Sequence, residues 1–182
     1  MRVLMFGWEF PPHIAGGLGT ACYGMTRGLA ENGVEVLFVM PSASGDEDQS
    51  SVRIINASDV AVDTMSETVD EFLGKVRFVH VGTNMVPYVS PEDFSSVVEE
   101  ERARQIKDFR ITYGQKYQFS GKYGTNLMEE VARYGMVGGT IALQHCDEFD
   151  VIHAHDWLTY LAGIAAKQLT GKPLVVHVHA TS

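Results

Sequence analysis

Cysteine is nearly missing from this 182-residue chain, with only Cys22 and Cys146 present. That excludes a disulfide scaffold and suits a reducing compartment, so the expected location is the cytoplasm. Long hydrophobic runs are missing too. No apolar stretch approaches the ~20 residues of a membrane helix. Met1-Arg2 leads straight into the strand-like run Val3 to Phe6, without the pattern of a secretory leader. No membrane partner is expected. Cations are scarce: 14 Lys+Arg stand against 23 Asp+Glu, for a net charge of −9. This balance argues against nucleic acid as a partner. It also leaves few side chains to meet a phosphorylated ligand. Repeats and low-complexity tracts are absent.

What is there fits one domain of ordinary globular composition, 45% hydrophobic and 20% charged. Val3 to Phe6 reads as a strand, followed by a loop from Gly7 to Gly17. A helix over Leu18 to Asn32 follows, with Leu18, Cys22, Met25 and Leu29 on one face and Gly33 as its stop. Val34 to Met40 is a nearly continuous apolar run, as expected for a strand covered on both faces. Val52 to Asn56 and Val76 to Val81 read as strands. Ser90-Pro91-Glu92 opens a helical stretch that Val97 to Tyr113 continues. Asn126 to Cys146 reads as a helix weakened by Gly138-Gly139. Val151 to Ala154 and Leu174 to Val178 read as strands around a helix with Asp156 as N-cap and Leu158, Leu161, Ala162, Ala165 and Leu169 on one face. Gly171 and Pro173 close that helix. This order predicts an α/β fold, a doubly wound parallel sheet with a helical insertion around residues 90–146. A chain stopping four residues after its last strand is expected to be a piece of a longer protein.

Parallel strands point the same way, so the residues just past three of them share one edge, where open α/β sheets bind ligands. After the first come Gly7-Trp8-Glu9 and then Gly16-Gly17-Leu18-Gly19. After the next come His155-Asp156-Trp157, and after the last His179-Ala180-Thr181. Glycines at a strand-to-helix turn let backbone N–H groups approach a phosphate, and the helix N-terminus adds roughly half a positive charge. This would offset the shortage of lysine and arginine. The alternative for the same residues is a tight packing turn. Nine residues separate Phe6 from Gly16, and the second strand ends Val39-Met40-Pro41 without an acid for a ribose, so a nicotinamide or flavin oxidoreductase is disfavoured.

His153 and His155 share a strand face and could both ligate zinc. The reading preferred here is a hydrogen-bonded interior His153 and no metal, with no cysteine nearby and Asp156 engaged as a cap. Asp156 is also a candidate to accept a hydrogen bond from a substrate hydroxyl. Trp8 reads as a core plug. Glu99-Glu100-Glu101 with Arg102, Arg104 and Lys107 reads as a solvated helix face. Tyr113, Tyr117, Phe119 and Tyr123 among glycines read as a packed insertion, with a sugar-stacking surface as the alternative.

Gly16-Gly17-Leu18-Gly19 after a strand, His153-Ala154-His155-Asp156-Trp157, and His179, 23 positions past Asp156, together resemble the N-terminal domain of retaining glycosyltransferases of the GT-B fold. The glycogen/starch synthase group is the nearest. The matches run from the first strand to the end of the chain. The resemblance implies a Rossmann-like N-terminal half, with the nucleotide-sugar domain lying outside these residues as a partner in the same protein. It implies a nucleotide diphospho-sugar donor, a glucan or other carbohydrate acceptor, and no metal or other cofactor. Gly16, Gly17 and Leu18 would approach the distal phosphate. His155, Trp157 and His179 would line the sugar site, with Asp156 and His179 closest to the reacting centre. A glucosyl unit would pass to an α-glucan with retention, and the 182 residues alone would fold without turning over. The chain departs from the group where a lysine usually stands two positions before the glycine pair, because Ile14 and Ala15 occupy those places. Three alternatives remain open: another sugar such as mannose, another acceptor, or a stand-alone sugar-binding module.

Overall fold

The computed structural model describes residues 1–62, 114–124 and 126–179. Five strands lie in the order β3-β2-β1-β4-β5: β1 Arg2–Phe6, β2 Glu35–Met40, β3 Arg53–Asn56, β4 Val151–His155 and β5 Leu174–His177. Every pairing is parallel, with Phe6 opposite Val39 on one side and Ala154 on the other. The helices are α1 Gly17–Glu31, α2 Leu127–Gln144 and α3 Trp157–Thr170. The strand over Val76 to Val81, the helical stretch from Ser90 to Tyr113 and the charged face around Glu99 lie outside the described residues.

Both faces of the sheet are covered, and the alternation of side chains says by what. Phe6 and Ala154 are register partners and project to one side. A methyl added at Gly163 of α3 would stand 2.8 Å from the Ala154 Cβ, so α3 covers that side. Met5 and Phe38, also partners, project to the other side. There the Phe38 ring packs on Phe10 (centroids 4.7 Å apart), and Phe10 packs on Tyr23 of α1 (5.7 Å). The central strands β1 and β2 are almost wholly buried, which accounts for their unbroken apolar sequence. On β5, the outer strand among the described residues, Val175 and Val176 remain exposed.

Helix stops fall where glycine was expected to provide them. Gly33 has φ +72, and Gly171 has φ +70 while donating its N–H to the Lys167 carbonyl at 2.8 Å. An L side chain rarely adopts this left-handed conformation. The expected weakening at Gly138-Gly139 takes a different form, because α2 runs through unbroken. Here α2 presses against α3, and a Cβ on Gly138 would stand 2.7 Å from the Ala162 Cβ and 3.1 Å from the buried Phe6 ring. Gly138→Ala would gain roughly 1 kcal/mol of helix propensity. It would lose more through the clash, since overpacking a tight core costs about 1–3 kcal/mol. A net loss of stability in urea unfolding is the expected result; a gain would show that the two helices can move apart freely.

Helix α2 is tied to the carboxyl ends of β1 and β2 by one hydroxyl. Tyr134 is fully buried, and its OH lies 3.0 Å from the Gly7 carbonyl and 2.8 Å from the Val39 carbonyl. Burial holds its acidity far below that of free tyrosine, so it stays a donor. Its ring meets Phe6, Trp8 and Phe119 edge-on. Trp8 is the core plug expected, and Phe119 is packed rather than offered to a sugar. Tyr134→Phe removes the hydroxyl from the Gly7 carbonyl, while the Val39 carbonyl keeps the Gly7 N–H at 2.9 Å. The expected loss is about 1–2 kcal/mol in unfolding free energy, and an unchanged denaturation midpoint would refute the role.

Candidate functional site

The carboxyl ends of β1, β4 and β5 lie side by side because the strands are parallel neighbours. The chain leaves β1 at Gly7, whose N–H donates to the Val39 carbonyl at 2.9 Å. A methyl on Gly7 would stand 2.2 Å from the Phe38 ring, so no larger residue fits there. Trp8 then turns inward and places Glu9 beneath the loop that enters α1. Glu9 is buried, at 4% exposure. Its Oε2 accepts from the Ala15 N–H at 2.8 Å, and its Oε1 accepts from Gly16 at 3.2 Å and Gly19 at 3.1 Å. A carboxylate therefore already occupies three amides at the positive end of α1. The sequence placed Glu9 at this strand end in Gly7-Trp8-Glu9, but a lone acid in a Trp-Glu-Phe run carries no motif and suggested no role.

This changes what the glycine loop can offer. The Gly16 N–H, expected to face a ligand, is taken by Glu9. Gly17 and Leu18 open the helix, and their N–H groups have no hydrogen-bond partner among the described residues. A Cβ at Gly16 or Gly17 would meet nothing within 4 Å, so open space lies in front of both. Gly19 differs. A Cβ there would stand 2.4 Å from Ile14 Cγ2 and 3.0 Å from Glu9 Cγ, so it is a packing glycine.

On β4, His153 and His155 project to the same side as Met5, since Met5 is the register partner of His153. His177 of β5 pairs with His155. The four imidazoles of His153, His155, His177 and His179 form a stacked cluster, with centroids 4.0 Å apart for His153–His155 and 4.2 Å for His177–His179. His155 is fully buried, and its Nδ1 lies 2.8 Å from Nε2 of the half-buried His179. Burial, then neighbouring imidazoles, pulls His155 down to about 3 and His153 to about 4, so both are neutral at pH 7. Burial and His177 lower His179 too, against the opposing pull of Asp156. His153 makes no hydrogen bond among the described residues, contrary to its reading as a hydrogen-bonded interior histidine.

Asp156 stands at the N-cap position of α3, but its side chain makes no capping bond. The side-chain cap expected of the carboxylate is not made, and the first turn is held instead by backbone and by Thr159. The Asp156 carbonyl accepts from the Thr159 N–H at 3.0 Å, and the Thr159 hydroxyl donates to the His155 carbonyl at 2.8 Å. The carboxylate has no hydrogen-bond partner among the described residues, and the residue is held at φ 64, ψ 168. Trp157 is the first residue of α3 and is 43% exposed. The Tyr123 hydroxyl is pushed up to about 12, by partial burial first and then by the charges of Glu9 and Asp156. Sequence reasoning placed Tyr123 only in a packed or sugar-stacking group. Ala180 and Thr181 lie outside the described residues.

The five-stranded, all-parallel sheet with helices on both faces is a Rossmann-like α/β domain. The family model described as the starch synthase catalytic domain matches residues 2–182, and the chain belongs to that family. It is 25% identical over 182 residues to the uncharacterized glycosyltransferase MJ1607 of Methanocaldococcus jannaschii, covering all of this chain and 31% of that protein. It is also 25% identical over 181 residues to the glycogen synthase of Mycobacterium tuberculosis, covering all of this chain and 34% of that enzyme. The chain thus spans about a third of the length of these curated relatives. No helix among the described residues is long and apolar enough to cross a membrane.

Proposed function

We propose that this chain is the N-terminal, acceptor-side half of a cytoplasmic glycosyltransferase that moves a glucosyl unit from a nucleotide diphospho-glucose to an α-glucan with retention. The observation that carries this reading is the helix opening at Gly17 and Leu18, whose amides have no partner among the described residues and where open space fronts Gly17, while Asp156 and His179 stand at the neighbouring strand ends. The amides and the α1 dipole meet the distal phosphate without side-chain cations. His155, locked to His179 at 2.8 Å, fixes the imidazole that touches the donor sugar. Asp156 accepts a hydrogen bond from a sugar hydroxyl, and Trp157 offers an exposed ring beside it. The second half of the protein supplies the base pocket and the cations that stabilise the departing diphosphate, so residues 1–182 alone fold without turnover.

The test is a panel of nucleotide sugars offered to the full-length protein, with the anomeric configuration of the product read by NMR. Glucosyl transfer with retention is expected. Transfer of another sugar would move the chain to a different specificity, and the panel also reads the donor nucleotide, on which Ile14-Ala15 in front of the glycine pair bears. No transfer at all would favour a sugar-binding module. His179→Ala is expected to lower kcat/KM about 100-fold, roughly 3 kcal/mol of transition-state stabilisation. A loss below threefold would remove His179 from the site.

A further inference from the structure

We propose that His153, His155 and His177 form a binding site for a divalent transition ion of the zinc class. The claim does not rest on the transfer reading. Each of the three offers a ring nitrogen, and these atoms lie within 4.8 Å of one another. Zn–N bonds of about 2.0–2.1 Å put nitrogens of a tetrahedral site about 3.3 Å apart. Side-chain rotations that draw the nitrogens in by about 1.5 Å would close the set around an ion. Rings that stack flat carry their lone pairs side by side rather than toward one point. His153 and His177 lie nearly flat to each other, at 8° with centroids 5.7 Å apart, so one of them must turn, whereas His155 is tilted 34° from His153 and 30° from His177.

The second observation is chemical. The Nε2 atoms of His153 and His155 are shut off from solvent and bonded to nothing among the described residues. Buried polar atoms are nearly always satisfied, so two orphans on adjacent rings call for a shared partner. His155 is fully buried. When its Nδ1–H donates to His179 Nε2 at 2.8 Å, its Nε2 is left as a bare lone pair, the form a metal takes. Metal-bound histidines ordinarily give their other N–H to such a neighbour, which fixes ring and tautomer. The rest follows from the donor set. Three neutral nitrogens without carboxylate or thiolate suit zinc, nickel or copper over magnesium or calcium. Three protein ligands leave a fourth position for water or a hydroxyl. That position opens at the strand ends, beside His179.

Cobalt(II) reports the site directly, since its tetrahedral complexes absorb in the visible. Full-length protein stripped with chelator and titrated with cobalt is expected to bind one ion per chain with tetrahedral bands that zinc bleaches. His153→Ala and His177→Ala should each abolish the bands. His179→Ala, which removes only the hydrogen bond to His155, should weaken cobalt affinity about 10–100-fold. His13→Ala and His145→Ala, whose imidazoles pair with Asp46 and Glu148 elsewhere, should change nothing. Far-UV circular dichroism checks each fold, with glutamine replacing alanine where a variant fails. No tetrahedral bands in the unmodified protein, or bands that survive loss of His153 and His177, would overturn the site. Neither readout involves sugar transfer, so the outcome stands whatever the enzyme assay gives.

Discussion

Glu9→Ala is expected to lower the unfolding free energy by about 3 kcal/mol, with the amides of Ala15, Gly16 and Gly19 losing protection from hydrogen exchange. The estimate follows from what the carboxylate does. It accepts three N–H groups at 2.8, 3.2 and 3.1 Å. Hydrogen bonds to a charged group contribute about 1.5–3 kcal/mol each, and a donor left buried without one costs about 1–3 kcal/mol. The full sum does not apply, because Ala15 and Gly16 are exposed and water can replace their partner. Gly19 is buried, and its N–H has no such recourse. Glu9→Gln separates charge from shape. A glutamine oxygen at the Oε1 place keeps Gly16 and Gly19 but sets its NH2 against the Ala15 N–H. Its loss should fall about midway between wild type and Glu9→Ala. Urea unfolding at constant m-value is the measurement. A loss under 1 kcal/mol for Glu9→Ala would mean that water serves all three amides and that the loop holds itself.

The fold was readable because its signals are periodic and local. The apolar run before Pro41 and the alternation around His153 are set by burial on one or two faces, which any parallel sheet imposes. Gly33 and Gly171 announced helix ends because only a positive φ explains them there. The site was readable in part. The glycine pair, His155, Asp156 and His179 sit in short runs whose chemistry stands out against apolar neighbours. Three things were not local and could not be seen. Glu9 acts on a loop up to ten positions ahead, through a turn whose shape no composition rule dictates. Gly138 looked like a helix breaker because its role depends on Ala162 and Phe6, far away in sequence. Tyr123 feels the charges of Glu9 and Asp156 from a segment whose place in the fold its glycines do not reveal. In each case the residue's partners come from the folded chain and not from its own run.

Asp156→Gly is expected to make the protein more stable and nearly inactive at once. Asp156 sits at φ 64, ψ 168, a region that glycine alone occupies comfortably. An L residue held there costs about 1–3 kcal/mol, which the surrounding strand and helix must over-determine. They do so through backbone: the Asp156 N–H donates to the His177 carbonyl at 2.8 Å, and its carbonyl accepts from Thr159 at 3.0 Å. Glycine keeps both bonds and relieves the strain. It gives back about 0.5–1 kcal/mol through the greater freedom of the unfolded chain. Nothing further is lost, because the carboxylate makes no capping bond to forfeit. The net expectation is a gain of about 1 kcal/mol, a rise of a few degrees in Tm. Alanine cannot take this path, since its Cβ meets the same steric limit, so Asp156→Ala should leave stability close to wild type. Under the proposed reaction, both variants remove the group that orients a sugar hydroxyl, and kcat/KM should fall about 100–1,000-fold. The pair therefore separates backbone from chemistry: two substitutions with one activity and two stabilities. Equal stabilities would deny the strain, and retained activity in either would take the carboxylate out of the reaction. A residue kept in a glycine conformation without stabilising its own helix supports the proposed role of Asp156 on a ligand, since the fold would be better served by glycine.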